Sequence, residues 1–250
     1  MTEPRIFVDL ELGEGDVVSL PEAACHHLVV VLRRVRDDRV TLFNGRGGEY
    51  GVTIESLAKK SVSVRVREFR NVERESPLSI TLAQAVSKGE RMDYTIQKAV
   101  ELGVTAIQPL VTDHVVVRLN AERWERKLEH WQGVAVAACE QSGRTRVPTI
   151  APVLDLRDWL NALPAGALKL VMAPGAGPAA KLKRRDEPVM LLVGPEGGLS
   201  DMELKLADLS GFVGLSLGPR ILRTETAGMA ALTMMQSLWG DLGSALTQGT

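Results

Sequence analysis

Two apolar runs near the C-terminus each stop at Gly-Pro, and this repeated break limits what the chain can fold into. Leu191-Leu192-Val193 runs into Gly194-Pro195-Glu196-Gly197-Gly198-Leu199-Ser200. Leu215-Ser216-Leu217 runs into Gly218-Pro219-Arg220-Ile221-Leu222-Arg223-Thr224-Glu225-Thr226-Ala227. A short apolar run reads as a buried strand. Gly-Pro ends it, because neither a strand nor a helix interior tolerates that pair. Each break is followed by a helical stretch. Two strand ends opening onto glycine-containing loops, only a short helix apart, form a pocket lined by peptide N–H and C=O groups. Such a pocket suits a small polar ligand.

The rest of the C-terminal two thirds alternates strand and helix. Leu78–Ala85 reads as a strand. Arg91–Leu102 reads as a helix stopped by Gly103, and Val104–Leu110 as the next strand. In the stretch 121–141, Trp124, Leu128, Trp131, Ala135 and Ala138 recur at intervals of three and four, which predicts a long helix. Leu168–Ala173 is another buried strand. Ser200-Asp201-Met202-Glu203 is a capping box, and 224–239 is the last helix. Alternation of this kind predicts an α/β domain with a mostly parallel sheet covered on both faces.

Residues 1–72 read differently. Val40–Phe43 and Val52–Ile54 flank a glycine-rich turn, and Ser61–Arg67 alternates strictly between apolar and polar. Between the first strand, Ile6–Val8, and this meander lies Glu22–Arg34, with Pro21 at the first turn of a helix. These elements predict a small β-barrel. The polar stretch Asn71–Pro77 is a linker, so the expected domains are 1–72 and 77–250.

Length and composition fit this organisation: 250 residues suffice for two cored domains. The formal net charge of −1 means that any anionic partner meets a local patch. Arginine outnumbers lysine, which favours bidentate phosphate contacts but also follows from a GC-rich genome. Cys25 and Cys139 lack metal-ligand spacing, and His114 and His130 have no ligand partners at metal spacing, so no metal is expected. The expected location is the cytoplasm, with no signal segment and no apolar run long enough to cross a bilayer. No Gly-x-Ser-x-Gly elbow, P-loop or His-Glu-x-x-His is present, which removes several hydrolase classes.

Several clusters carry a functional and a structural reading side by side. Gly194–Gly198 exceeds what a tight turn needs, and Glu196 is placed to accept hydrogen bonds from a ribose or amine. Arg220 and Arg223 either hold a phosphate or base, or are surface residues. Glu225 lies in a first helical turn, where the macrodipole alone favours a carboxylate. Gly175-Ala176-Gly177-Pro178-Ala179-Ala180 has the dinucleotide glycine pattern, but on a late strand and with an awkward proline, so it also reads as a plain loop. His26, His27, Arg33, Arg34 and Arg36, with Arg5, form either an anion-binding face or a solvated helix edge. Glu140-Gln141-Ser142-Gly143-Arg144 is more polar than a helix cap requires. The apolar helix 224–239 is either fully buried or half of an interface.

Strand–Gly194-Pro195-Glu196-Gly197-Gly198–helix, followed by Leu217-Gly218-x-x-Ile221-Leu222-Arg223-x-Glu225-Thr226-Ala227, resembles the ribosomal RNA small-subunit methyltransferase E family. The resemblance extends to Gln97–Val104, Glu140–Arg144 and Pro4–Val8, and so covers nearly the whole chain. The family consists of SPOUT-class enzymes that methylate N3 of a uridine in 16S ribosomal RNA. The resemblance implies a PUA-like N-terminal barrel that holds RNA, a catalytic domain with a deep trefoil knot, and a homodimer. It also implies S-adenosylmethionine held by Met172, Ala173, Pro174 and Gly175, by Val193 and Gly194, Pro195, Glu196, Gly197 and Gly198, and by Leu217, Gly218, Ile221 and Leu222. Thr224 and Ala227 close that pocket. The resemblance further implies small-subunit ribosomal RNA as the partner, within a 30S particle.

Uridine N3 must lose a proton before it attacks a sulfonium methyl group. On this reading Arg223 stabilises the resulting anion, Arg220 clamps a phosphate, and Glu225 is a base or an arginine orienter. Arg5, His27, Arg33, Arg34 and Arg144 are the expected RNA contacts. Two other functions remain as alternatives: an NAD-dependent oxidoreductase built on Gly175-Ala176-Gly177, and a non-catalytic RNA-binding assembly factor.

Overall fold

A computed structural model describes residues 3–58, 61–115, 117, 119–177 and 187–243. Two compact units divide the chain: Met1–Glu75 with Cys139–Val147, and Ser76–Ala138 with Pro148–Thr250. The stretch 139–147 therefore belongs with the first unit, although the residues on either side of it, 76–138 and 148–250, belong to the second.

In the first unit, β1 (Arg5–Phe7) pairs in parallel with β3 (Arg39–Phe43). The antiparallel strands β4 (Glu49–Ala58) and β5 (Ser61–Arg70) follow, and β2 (Val17–Ser19) pairs with β5. The strand order is β1-β3-β4-β5-β2. Alternation in β4 and β5 turns Val52, Ile54, Val62, Val64 and Val66 inward, where they meet Ile6, Leu28, Val40 and Leu42. The expected single helix over 22–34 is not continuous. An α-helical turn, α1 (Glu22–His26), passes into a π-helical turn at His27–Val31, and Arg33 takes a positive φ of 50°. Three β-branched valines at 29–31 weaken an α-helix, and the wider turn accommodates them.

A buried ionic cluster ties this unit together. Arg5 and Arg74 both reach Glu49 Oε2, Arg70 lies 3.4 Å from Glu49 Oε1, and the Arg5 guanidinium stacks over the Phe43 ring at 5.0 Å. Burial would raise the Glu49 carboxyl. The Arg74 hydrogen bond and the charges of Arg5 and Arg74 outweigh it and hold the group below its ordinary value. Cys25 and Cys139 are both buried and free. Cys25 Sγ donates to Leu20 O at 3.3 Å, and burial pushes the Cys139 thiol up to about 12.

The second unit carries a parallel sheet ordered β12-β10-β11-β6-β7-β8, with a short β9 also paired to β7. Its strands are β6 (Ile80–Ala85), β7 (Ala106–Val111), β8 (Thr149–Ile150), β9 (Leu154–Asp155), β10 (Leu168–Met172), β11 (Val189–Val193) and β12 (Val213–Leu215). Helices α2 (Arg91–Glu101), α3 (Ala121–Ser142), α4 (Leu156–Asn161), α5 (Asp201–Leu209) and α6 (Thr224–Trp239) connect or follow them. All five residues of β11 are buried, as a central parallel strand requires. One face of the sheet packs Leu110, Val171 and Leu192 against Leu156, Trp159, Leu160, Ala207 and Phe212. Buried Gln236 of α6 donates to Leu102 O and accepts from Ser76 Oγ at 2.6 Å, which pins α6 to the turn before β7. No helix among the described residues is long and apolar enough to cross a membrane.

Glu49 gives a pH test of the first unit. Its ionised form favours folding, so its contribution is complete above the ordinary value of 4.5 and is lost as pH falls through its depressed folded value. Thermal unfolding followed against pH is expected to show this acid limb, and Glu49→Gln is expected to flatten it. Glu49→Ala, which removes the buried carboxylate shared by Arg5, Arg70 and Arg74, should cost about 3 kcal/mol in urea unfolding at pH 7.

Candidate active site

The carboxyl ends of β10, β11 and β12 open into a cavity of about 710 Å³. Each strand continues into it: Met172 at the end of β10 with Ala173 and Pro174 after it, Gly194–Leu199 after β11, and Ser216 and Leu217 after β12. Main-chain bonds hold these loops side by side. Ala173 N donates to Leu215 O at 3.1 Å, and Gly198 N donates to Pro195 O at 2.9 Å within the turn. The crevice outside the carboxyl ends of parallel strands is where open α/β sheets bind ligands.

Glycine in the 194–198 loop serves the packing of the loop itself. A Cβ on Gly194 would lie 3.0 Å from Leu199 Cγ and 3.1 Å from Leu199 N, and one on Gly197 would lie 3.1 Å from His114 Cβ. Gly198 has φ +73° and turns the chain into α5. The capping box forms as expected. Ser200 Oγ accepts from Glu203 N and Glu203 Oε2 accepts from Ser200 N, while Glu203 Oε1 also accepts from Asp113 N at 2.8 Å. His114, expected to be unremarkable, has a ring nitrogen 3.0 Å from Gly198 O and braces the same loop.

The start of α6 forms another wall. Arg223 is its N-cap, with extended backbone and no side-chain cap, so the first-turn N–H groups are not capped by it. Arg220, Ile221, Leu222, Arg223, Thr224, Glu225 and Ala227 all line the cavity. Among the described residues neither Arg220 nor Arg223 forms an ion pair. Glu225 keeps one buried carboxylate oxygen without a hydrogen-bond partner. Two exposed guanidinium groups, an unpaired carboxylate oxygen and a helix N-terminus around one cavity can bind a zwitterion and stabilise an anion.

Most of the expected pocket residues therefore meet. Met172, Ala173, Pro174, Val193, Gly194, Pro195, Glu196, Gly197, Gly198, Leu217, Ile221, Leu222, Thr224 and Ala227 are in the lining. Gly175 and Gly218 are not. Both have positive φ, +78° and +83°, and they turn the chain beside the cavity. Gly177 also lies outside the lining, and Pro178–Ala180 of the dinucleotide-like pattern lie outside the described residues. Sequence reasoning missed Arg91, whose Nη1 donates to Glu196 Oε1 at 2.9 Å across the lining. Its signal was its place at the start of the helix after β6, at the carboxyl edge of the sheet. Among the described residues no metal-binding cluster exists.

The expected RNA contacts lie in the first unit, and they divide into two sets. Arg5 donates to Arg144 O at 2.9 Å and pairs with Glu49, and Arg144 pairs with Glu75. Both guanidinium groups are committed internally, and Arg144 is 5% exposed. His27 lies 4.0 Å from Glu140, which accepts from Phe7 N at 3.0 Å. Burial raises the Glu140 carboxyl, partly offset by that Phe7 bond and by His27 and Arg5. Arg34 is half-buried and 3.9 Å from Asp38. Arg33 is exposed, beside exposed Val30, Val31, Val35 and Arg36.

Similarity to known proteins follows the same division. A family model described as an RNA methyltransferase domain matches residues 74–236, and one described as an RNA methyltransferase PUA domain matches 20–67. The ribosomal RNA small subunit methyltransferase E of Buchnera aphidicola (from Schizaphis graminum) is 34% identical over 240 residues, 96% of this chain and 98% of that one. That of Bacillus subtilis is 30% identical, covering 92% and 94%. A crystal structure of the Neisseria gonorrhoeae ribosomal RNA small subunit methyltransferase E bound to S-adenosyl methionine superposes with TM-score 0.91 at 39% identity, covering 96% of this chain and 100% of that one. A putative methyltransferase of Legionella pneumophila in complex with the same cofactor gives 0.94 at 40%, covering 97% and 100%. The fold and the two matched domains define a class, an RNA methyltransferase domain joined to a PUA domain. Within that class, the chain belongs to the ribosomal RNA small subunit methyltransferase E family.

The loop geometry predicts the effect of one methyl group. Gly194→Ala presses on the Leu199 main chain, and is expected to destabilise the protein by about 1–2 kcal/mol in urea unfolding.

Proposed function

We propose that the protein transfers a methyl group from S-adenosylmethionine to N3 of a uridine in small-subunit ribosomal RNA. The observation that carries the reading is the three-strand pocket with the start of α6 as a wall, in a chain 39–40% identical to proteins whose structures hold S-adenosylmethionine. The residues present suit that molecule. The peptide groups of the loops meet its polar edges, Glu196 is placed for hydroxyl or amine hydrogens, and the unpaired Glu225 oxygen accepts a donor.

S-adenosylmethionine supplies an electrophilic methyl group on a sulfonium. The protein has to align the uracil ring and remove the N3 proton, because displacement at carbon depends on alignment more than on acid chemistry. Arg223, exposed at the pocket and free of any ion pair among the described residues, stabilises the uracil anion left after N3 deprotonation. Arg220 holds a neighbouring phosphate. Glu225 takes the proton or orients Arg223. The RNA is received on the exposed Arg33 face, while the guanidinium groups of Arg5 and Arg144 are held by the protein's own carboxylates. Assembly as a homodimer through α6, threading of the C-terminal segment as a trefoil knot, action on a 30S particle and a cytoplasmic location belong to the same proposal.

The oxidoreductase alternative loses its support, since Gly175 and Gly177 fall outside the cavity lining. A purely RNA-binding role leaves the cavity and its arginines without a purpose.

Tritium-methyl transfer to unmethylated small subunits tests the reading directly. Arg223→Ala is expected to reduce turnover at least a hundredfold while calorimetry shows unchanged affinity for S-adenosylmethionine. Unchanged turnover would refute the assignment. Arg33→Ala is expected to weaken RNA binding and to reduce its salt slope by about one, without altering cofactor affinity.

A further inference from the structure

A polar side chain sits at the most buried end of β6, where a parallel sheet calls for Val, Ile or Leu. Gln84 is fully buried and is the register partner of Val193, the residue before the Gly194 loop. Its amide has one possible orientation. Nε2 donates to Ala85 O at 3.1 Å and to Thr224 Oγ1 at 2.9 Å. A backbone carbonyl only accepts, so the nitrogen must face it. The Thr224 hydroxyl accepts from Gln84 and has a single proton to give. That proton goes to Gly194 O, 2.6 Å away. The relay therefore runs in one direction, from amide to hydroxyl to loop carbonyl.

The last acceptor has special weight. Pro195 has no N–H, so the Gly194–Pro195 peptide carries just one polar group, and Thr224 is what holds it. Thr224 also opens α6 between Arg223 and Glu225. Two hydrogen bonds thus lock three segments: the end of β6, the loop after β11 and the first turn of α6. The Gln84 amide oxygen, Oε1, has no hydrogen-bond partner. A Cβ on Gly228 would meet that oxygen at 3.5 Å, an ordinary van der Waals contact, so α6 packs directly over the amide. A buried acceptor without a donor is a cost, and such costs cluster where placement matters more than stability.

We propose that Gln84 is a positioning residue. Through the Thr224 hydroxyl it sets the direction of the Gly194 carbonyl, and with it the strength with which the pocket holds the methyl donor. The proposal rests on the reading of this pocket as the S-adenosylmethionine site. It concerns a side chain outside the cavity lining, so the two can fail separately.

Calorimetry with S-adenosylmethionine and steady-state methyl transfer on small subunits decide it. Gln84→Met keeps the volume and removes the donor. It is expected to fold, and to raise both the Kd and the KM for S-adenosylmethionine about tenfold, with turnover at saturation within about twofold. Thr224→Val should match it, and Thr224→Ser should bind the donor more tightly than Thr224→Val. The double variant Gln84→Met/Thr224→Val should be no worse than Thr224→Val alone, because both act through one carbonyl. Unchanged donor affinity in Gln84→Met, a loss confined to turnover, or losses that multiply in the double variant each overturn the proposal. If Gln84→Met does not fold, Gln84→Leu takes its place, and equal donor affinity of Thr224→Val and Thr224→Ser is then sufficient to reject the relay. Failure of the parent protein to bind S-adenosylmethionine removes the pocket reading itself.

Discussion

The short hydrogen bond from the Thr224 hydroxyl to the Gly194 carbonyl joins the two sequence breaks that define the catalytic unit. One break supplies a loop that must turn at once, since Pro195 forbids a continuing ladder. The other supplies the start of a sixteen-residue helix. Neither loop is a pocket alone. Parallel pairing of β10 with both β11 and β12 puts their carboxyl ends on one edge, and the hydroxyl then closes helix against loop. The cavity is thus a by-product of strand direction, made specific by a few side chains.

The first unit is held by a different principle. Its valine and isoleucine core is conventional, but Glu49 and Glu75 draw arginines from separate stretches of sequence into the interior. Glu75 accepts from Thr145 N and Arg146 N at 3.1 Å each, as well as from Arg144. Arginines read from the sequence as ligands for RNA are therefore partly ligands for the protein's own carboxylates. Breaking such buried pairs is far more disruptive than their net contribution to stability suggests.

Much of this was legible in advance because it depends on local rules. The helix at 224–239, the capping box at Ser200 and the strand end at Val193 all follow from periodicity and from Gly and Pro placement. The α/β class and the family followed from alternation and from paired motifs. What was hidden is long-range. Arg91 meets Glu196 across 105 residues, and Gln84 meets Thr224 across 140. No periodicity encodes those meetings. Gly175 and Gly218 lie outside the cavity lining at positive φ, and a glycine that turns the chain and a glycine that admits a ligand look alike in sequence. The π-helical turn at His27–Val31 likewise depends on how a valine run resolves its crowding, which apolar patterning alone does not reveal.

Both cysteine thiols are buried and chemically quiet. Cys25 is sealed in the first core, and Cys139 holds its proton so firmly that almost no thiolate exists at neutral pH. A fluorophore or spin label attached to one engineered surface thiol would therefore report from that position alone, with the natural sequence otherwise intact.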